Sequence, residues 1–153
     1  MSAEIATNRR AFHNYQILEK VEAGIALTGT EVKSIRAGLA NLSNAFARVE
    51  NQELFLFDAD IQPYERASHE QHEPKRPRKL LLHKAEINKL FEASAIKGQT
   101  LIALRLYWKN QRVKVEIGVG RGKTHSDKRE DLKKRTADEE AKRAADLFNR
   151  RKL

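Results

Sequence analysis

Cysteine is absent from the 153-residue sequence, and long apolar runs are absent as well. Without cysteine there are no disulfide bonds, no thiolate metal sites and no thiol catalysis, which is typical of a protein of the cytoplasm. The longest apolar runs, such as Leu80–Leu82, fall far short of the roughly 20 residues that cross a bilayer. The start, MSAEIATNRRAFHNY, has no apolar core of a signal peptide. We therefore expect a cytoplasmic protein.

Acidic residues are too few to balance the basic ones. The chain has 30 Lys and Arg against 21 Asp and Glu, a net charge of +9. Residues 121–153 hold 12 Lys or Arg and seven Asp or Glu, so more than half of the excess lies in about a fifth of the chain. Such a balance predicts an anionic partner, most often nucleic acid. An anionic membrane surface is the weaker alternative, because it calls for a basic helix with bulky apolar residues.

Catalytic motifs are absent too. The sequence has no G-x-S-x-G, no P-loop, no Rossmann glycine set and no H-E-x-x-H. His69 and His72 in HEQHE have a spacing that can bind metal, but no third ligand is evident. We expect no enzymatic activity, no metal and no cofactor. An enzyme acting on nucleic acid would need a metal site that these two histidines alone do not make.

Alternating apolar and polar residues predict a mainly β fold. A strand is expected over 14–27, interrupted by a turn at Ala23-Gly24. Two hairpins are expected, 45–57 around Asn51-Gln52 and 101–119 around Asn110-Gln111. A helix capped by Thr30 ends at Gly38, and a second ends at Gly98. The apolar face expected for the second helix consists of Leu82, Ile87, Leu90, Phe91 and Ile96.

Short strands with a late helix are typical of a small closed or nearly closed barrel, such as an oligonucleotide-binding (OB-like) fold. We expect residues 1–8 to be a flexible N-terminus and 9–120 to form the barrel with its helices. Residues 121–153 form a basic C-terminal tail. Its Ala137, Ala141, Ala144, Ala145 and Phe148 have helical spacing but little surface to bury. The tail is therefore expected to fold only on a partner.

Two local patterns favour contact with nucleic acid. The stretch PKRPRKLLLHK carries five cations and no acid, so it can contact phosphates, although a solvated loop is the alternative. Tyr107 and Trp108 lie on opposite faces of a predicted strand and Lys109 follows them. One ring is expected to face solvent, where it can stack on bases, while core packing explains the other.

Several strings resemble one family: NRRAFHNY, EAGIALTGTEVKSIRAGLANL, RPRKLLLHKAEI, TLIALRLYWKNQRVKVEIGVGRGK and DKRED. The chain resembles the SsrA-binding proteins (small protein B) from Asn8 to about Arg135. The resemblance implies an OB-like barrel that binds the tRNA-like domain of transfer-messenger RNA, and we expect the protein to be a monomer. It implies delivery of that RNA to stalled ribosomes in trans-translation. There the tail enters the messenger channel, contacts small-subunit ribosomal RNA and becomes helical.

The resemblance assigns RNA binding to Glu22, Leu81 and Lys114. Charge and placement add further candidates on the barrel, namely Lys33, Arg36, Arg78, Lys79 and His83. Because an acid does not attract phosphate, Glu22 is expected to accept from a base edge or to order a neighbouring arginine.

In the tail, the resemblance assigns contact with the decoding centre to Asp127, Lys128 and Arg129, with Lys123 and His125 nearby. Residues Lys133, Lys134 and Arg135 would follow the messenger path. The family usually has a ring-bearing residue directly before this triplet, whereas this chain has Ser126 and places His125 one position earlier. Where some members carry a Trp further on, it has Thr136-Ala137. Composition alone also fits a basic ribosomal or ribosome-biogenesis protein that binds ribosomal RNA.

Overall fold

The computed structural model describes residues 2–63 and 72–123, and strands dominate them. The strands are β1 (Ser2–Thr7), β2 (Tyr15–Ile25), β3 (Ala40–Asn41), β4 (Phe46–Glu50), β5 (Glu53–Phe57), β6 (Asp60–Ile61), β7 (Arg78–Leu81), β8 (Gln99–Lys109) and β9 (Arg112–Gly122). The helices are α1 (Arg9–Asn14), α2 (Gly29–Arg36) and α3 (Lys84–Ala95).

One antiparallel sheet closes on itself. Its seven strands have the order β1-β8-β4-β5-β7-β2-β9, and an additional pairing of β8 with β9 makes a ring. Strand β8 can serve three neighbours because it is long: β9 runs along one edge, while β1 and β4 share the other. β3 and β6 form a separate small ladder. The mainly β, OB-like fold with added helices is confirmed.

The two predicted hairpins are confirmed. Asn51 and Gln52 have φ angles of 49° and 66°, and Asn110 and Gln111 have 50° and 64°. Two consecutive residues with positive φ are the requirement of a type I′ turn, whose twist matches that of the flanking strands. The same dipeptide therefore closes both β4–β5 and β8–β9, and it sets the register in which their apolar residues face inward.

The prediction of a flexible segment over residues 1–8 is wrong. Ser2–Thr7 form β1, which pairs antiparallel with the second half of β8 from Ser2–Lys109 to Thr7–Arg105. Asn8 then starts α1, since its Oδ1 accepts from the amide of Ala11 and its Nδ2 donates to the carbonyl of Ala103, 2.9 Å away. A segment with few apolar residues gives little periodicity, yet its backbone pairs with an edge of β8 that would otherwise lack partners.

The predicted turn at Ala23-Gly24 is also wrong, because β2 runs through both residues. Gly24 pairs with Lys114 on one side and with Leu81 on the other. A Cβ on Gly24 would lie 3.2 Å from the Cβ of Leu81. The glycine thus permits a close approach of β2 and β7 within a regular ladder.

Both predicted helices exist with different ends. Thr28, and not Thr30, caps α2 in a capping box: its Oγ1 accepts from the amide of Glu31, whose Oε1 accepts from the amide of Thr28 at 2.8 Å. α3 ends at Ala95. Of its expected apolar face, Ile87 and Leu90 are buried and Leu82 packs against the core. Phe91 and Ile96 are each 55% exposed, because only a narrow stripe of α3 meets the sheet.

Apolar side chains on the inner faces of the strands fill the ring. Examples with almost no exposed surface are Leu54, Leu56, Leu80, Val115 and Ile117. A second, smaller cluster forms on the outside, where α1 covers buried residues of β8; its members are Ala11, Ile102 and Leu104. Gly118 and Gly120 make room there, since an added Cβ would lie 2.7 Å from Leu104 Cδ1 and 2.5 Å from Ile102 Cδ1.

A buried ion pair joins α2 to β7. Glu31 and Arg78 are both fully buried, and Arg78 Nε donates to Glu31 Oε2. Arg76 donates to Glu31 Oε1 at 2.6 Å. The other Arg78 nitrogens donate to the carbonyls of Ala59 at 2.7 Å and Pro74 at 3.0 Å. The pair therefore ties one helix, one strand and the segments before that strand together.

Removing the Glu31 charge should destabilise the fold strongly. Glu31→Gln keeps the size of the side chain but leaves Arg78 as an uncompensated buried charge, for which a loss of about 3–5 kcal/mol is expected. The matched control is Glu50→Gln, which breaks an exposed pair with Arg48 and should cost about 0–1 kcal/mol. Urea unfolding followed by the fluorescence of the single tryptophan measures both. Equal losses in the two variants would contradict the assigned role of the pair.

The same pair predicts a pH dependence of stability. Burial raises the pKa of Glu31, but the bonds from Arg76, the Thr28 amide and Arg78 outweigh it and hold that pKa below its ordinary value. As the pH falls, the Glu31 carboxylate is therefore protonated at a higher pH in the unfolded state than in the folded state. The stabilisation is fully present above the unfolded pKa of about 4.3, and it is lost as pH falls through the folded pKa. Urea midpoints of wild type and Glu31→Gln should converge on acidification, and a constant gap would contradict this.

Candidate nucleic-acid interface

Three candidate residues that are far apart in the sequence meet on the outer face of the sheet. Gly24 on β2 pairs with Lys114 on β9 and with Leu81 on β7. Glu22 lies two residues before Gly24 and so faces the same side. Directly paired residues of neighbouring strands have Cα atoms only about 4.5–5.5 Å apart. Glu22, Leu81 and Lys114, which we call the outer patch, therefore lie within three successive rungs of the ladder.

Leu81 is the apolar member of the outer patch. Its side chain is 52% exposed, whereas its neighbour Leu80 is buried. β7 alternates strictly, so Leu81 and Lys79 point outward and Arg78 and Leu80 point inward. Because Gly24 is the residue paired with Leu81, no side chain covers the sheet surface beside it on β2. An exposed leucine with cations beside it is suited to packing against a partner surface.

Glu22 is held by two donors from β8. The hydroxyl of Tyr107 donates to Glu22 Oε2 at 2.6 Å, and Lys109 Nζ lies 3.2 and 3.3 Å from the two carboxylate oxygens. The Tyr107 bond is the main reason that the pKa of Glu22 lies below its ordinary value; burial opposes it, and Lys109 and Lys114 add to it. Glu22 is thus a fixed anion that can accept hydrogen bonds.

An open groove of about 440 Å³ lies in front of Glu22. Its charges have both signs. Arg105 donates to Glu116 at 2.9 Å and Lys20 Nζ lies 4.0 Å from that carboxylate. Cations in such a groove can hold phosphates while its acids exclude phosphates from particular positions. The lining residues are Lys20, Val21, Glu22, Arg105, Tyr107, Lys109, Asn110 and Glu116.

The remaining barrel candidates lie at several places. Lys79 shares the outward side of β7 with Leu81, and its Nζ lies 3.3 Å from Glu53. His83 is exposed at the start of α3. Lys33 and Arg36 are exposed on α2, where the Arg36 guanidinium lies 5.7 Å from the ring centre of Trp108. The structure thus joins Lys79 to the outer patch and places Arg36 beside the end of β8.

The assignment of Arg78 to RNA binding is wrong. Arg78 has no exposed surface and uses its guanidinium on Glu31 and on backbone carbonyls. Burial lowers its pKa, although the bond and charge of Glu31 oppose that change. Arg78 lies in a basic stretch of sequence, and its charge alone suggested an exposed residue. The alternation of β7 instead points Arg78 inward and Lys79 outward.

Tyr107 and Trp108 lie on opposite faces, as expected. Trp108 is half-buried and packs against the core. Tyr107 is on the outer face but only 6% exposed, since Glu22 binds its hydroxyl and Arg105 lies 5.3 Å from its ring centre. Tyr107 therefore forms the floor of the groove instead of an open stacking surface.

His72 is buried and hydrogen bonded. Its Nε2 lies 2.7 Å from the carbonyl of Ile61 and its Nδ1 lies 3.0 Å from Thr30 Oγ1. His69 lies outside the described residues. Within 2–63 and 72–123, no group of three or more metal-ligating side chains occurs, and no helix is long and apolar enough to cross a membrane.

Of the tail candidates, only Lys123 belongs to the described part of the chain, immediately after β9 ends at Gly122. The others lie outside it; they are His125, Asp127, Lys128, Arg129, Lys133, Lys134 and Arg135.

Sequence reasoning missed part of the groove. The missed residues alternate along three strands: Lys20 lies two residues before Glu22, Arg105 two before Tyr107, and Glu116 two after Lys114. Polar residues at every second position of a strand whose other positions are apolar are a signal for an exposed face. That signal identifies the exposed residues of each strand, but it does not indicate which strands are neighbours in the sheet.

Comparisons with known proteins agree on one family. The model of the SmpB protein family matches residues 5–147. The SsrA-binding protein of Carboxydothermus hydrogenoformans is 55% identical over 144 residues, which are 94% of this chain and 97% of the relative. That of Chloroflexus aggregans is 52% identical over 143 residues, 93% of this chain and 90% of the relative.

A solved structure described as tmRNA-SmpB on a journey to the center of the bacterial ribosome has the same fold. It is 47% identical to this chain, with a TM-score of 0.67, and the match covers 82% of this chain and 92% of the other. Sequence and fold together leave one assignment: the chain belongs to the SmpB protein family.

Proposed function

We propose that this protein is an RNA-binding adaptor that holds the tRNA-like domain of transfer-messenger RNA and delivers it to stalled ribosomes for trans-translation. The observation that carries the proposal is the meeting of Glu22, Leu81 and Lys114 on one outer face. Relatives named SsrA-binding proteins and a neighbour described as tmRNA-SmpB in the ribosome support it. The place of action is the cytoplasm, where ribosomes translate.

Each member of the outer patch has its own task. Lys114, with Lys79 beside Leu81, neutralises phosphates and supplies affinity that depends on salt. Leu81 packs against sugar or base surface and excludes water. Glu22 accepts a hydrogen bond from a base edge, which sets the fit without adding attraction for the backbone. Such a face recognises a folded RNA by shape, as proteins commonly recognise RNA.

The proposed mechanism needs no catalytic residue. Binding at the outer patch leaves the rest of the sheet surface and the basic tail available for the ribosome. The tail is the second RNA-binding element of the proposal. In it Asp127, Lys128 and Arg129 contact the decoding centre, and Lys133, Lys134 and Arg135 follow the messenger channel.

Replacing Lys114 should weaken RNA binding in a salt-dependent way. Lys114→Gln removes one phosphate contact, so affinity for the tRNA-like domain falls and the slope of log affinity against log salt decreases by roughly 0.7–0.9. Filter binding at several salt concentrations measures it. Lys97→Gln is the matched control, because Lys97 is exposed in the turn before β8, and Tyr107 lies near the other end of that strand. An unchanged slope for Lys114→Gln would exclude it as a phosphate contact.

Removing the tail should separate RNA binding from function on the ribosome. Truncation after Lys123 is expected to preserve most affinity for transfer-messenger RNA and to abolish tagging of stalled chains in a reconstituted translation system. Replacement of Asp127, Lys128 and Arg129 by alanine should give the same separation less completely. If truncation abolished RNA affinity instead, the division of tasks between barrel and tail would be wrong.

The RNA that co-purifies with the full chain distinguishes this function from that of a ribosome-biogenesis protein. Transfer-messenger RNA as the dominant bound species supports the adaptor. Ribosomal RNA fragments without transfer-messenger RNA would support the other function.

A further inference from the structure

Two glutamates face each other across the outer face of the sheet. Glu22 on β2 pairs directly with Glu116 on β9. Like charges at directly opposite positions destabilise a sheet. In this structure the two carboxylates have different hydrogen-bond donors. Glu116 accepts from Arg105 at 2.9 Å, while Glu22 accepts from Tyr107 and Lys109. The partners therefore decide where each carboxylate points.

Tyr107 is suited to fixing Glu22. Its ring is almost fully buried and so its hydroxyl has one well-defined position, from which it donates to Glu22 Oε2 at 2.6 Å. Lys109, by contrast, is a long exposed side chain at 3.2 and 3.3 Å from the same carboxylate. A rigid buried donor loses little entropy when it orders a partner, whereas a lysine loses more. The tyrosine thus dominates the orientation of Glu22.

We propose that Tyr107 is a positioning residue for RNA recognition: its hydroxyl holds the Glu22 carboxylate in the orientation that accepts N–H groups from the edge of an unpaired RNA base. The proposal rests on the proposed function, because it deepens the role of Glu22 in the outer patch. A carboxylate has about four acceptor positions. Tyr107 and Lys109 occupy part of them, and the carboxylate, whose side chain is 37% exposed, presents the remainder to the groove.

The protonation states agree with this geometry. Burial, and then the bond to Glu22, raise the pKa of Tyr107, so the phenol remains a donor at neutral pH. The Tyr107 bond is the largest cause that lowers the pKa of Glu22, so the glutamate remains an acceptor. Donor and acceptor are therefore fixed in the roles that base recognition requires.

Tyr107→Phe tests the proposal, because it removes the hydroxyl and keeps the ring that packs with Arg105. The probe is a transcript of the tRNA-like domain of transfer-messenger RNA, bound to the full-length protein. We expect Tyr107→Phe to weaken binding about tenfold, the lower end for a hydrogen bond to a charged group. Glu22→Gln should weaken it at least as much. Tyr15→Phe removes the same atom at the far end of β2 and should bind like wild type.

The double variant distinguishes a positioning role from an independent one. If Tyr107 acts through Glu22, Tyr107→Phe in the Glu22→Gln background causes no further loss of affinity. Losses that multiply, or a Tyr107→Phe variant with wild-type affinity, would overturn the proposal. If Glu22→Gln itself binds like wild type, the role of Glu22 in the proposed function fails first, and the two failures are thereby distinguished.

A pH profile gives a readout that a merely structural tyrosine would not change. Without its main partner, Glu22 should have a higher pKa, so the affinity of Tyr107→Phe should be lost on acidification at a higher pH than that of wild type. A loss that is the same at every pH would contradict the positioning role. The other charged groups around Glu22 remain in both proteins; they are Glu4 on β1, Lys20 on β2, Arg105 and Lys109 on β8, and Lys114 and Glu116 on β9.

Discussion

The buried pair of Glu31 and Arg78 is the interaction on which the rest of this structure depends. A fully buried ion pair costs much desolvation and is tolerable only when every donor and acceptor finds a partner. Here the guanidinium also binds the carbonyls of Ala59 and Pro74, so Arg78 has a single place in the fold. β7 is only four residues long, and fixing Arg78 inside fixes Leu81 outside. A slip by one residue would exchange the two faces. A buried charge therefore determines which side chains of β7 face outward.

The outer patch is not simply basic, and this bears on specificity. A uniformly positive face would bind any nucleic acid through its phosphates. Glu22 and Glu116 stand in the middle of this face, and each draws cations to itself. We then expect phosphates to bind beside lysines such as Lys114, and a base edge to bind only at the carboxylate. We expect such mixed charge to lower binding to arbitrary duplexes and to favour one folded shape.

Local signals predicted much of the fold, and tertiary contacts decided the remainder. The Asn-Gln turns and the alternation of Val113 to Val119 specify their hairpins without help from elsewhere. Ala23-Gly24 looks like a turn but serves close packing of β2 against β7, which only the neighbouring strand reveals. Residues 2–7 have no periodicity of their own and gain their structure from the edge of β8. Family resemblance selected Glu22, Leu81 and Lys114, whereas charge alone misplaced Arg78, because a basic run conceals which side chains point inward.

The geometry of β9 bears on the proposed contact with two RNA surfaces. Lys114 lies near the start of this strand and Gly122 ends it. Eight residues of extended chain span roughly 27 Å at about 3.4 Å per residue. The outer patch and the first residue of the basic tail are therefore at opposite ends of one hydrogen-bonded strand, held by β2 on one side and β8 on the other. In the proposed adaptor the RNA held at Glu22 and Lys114 is therefore bound away from the Gly122 end of the strand, from which the chain continues into the tail. The length of a single strand thus separates the outer patch from the start of the tail.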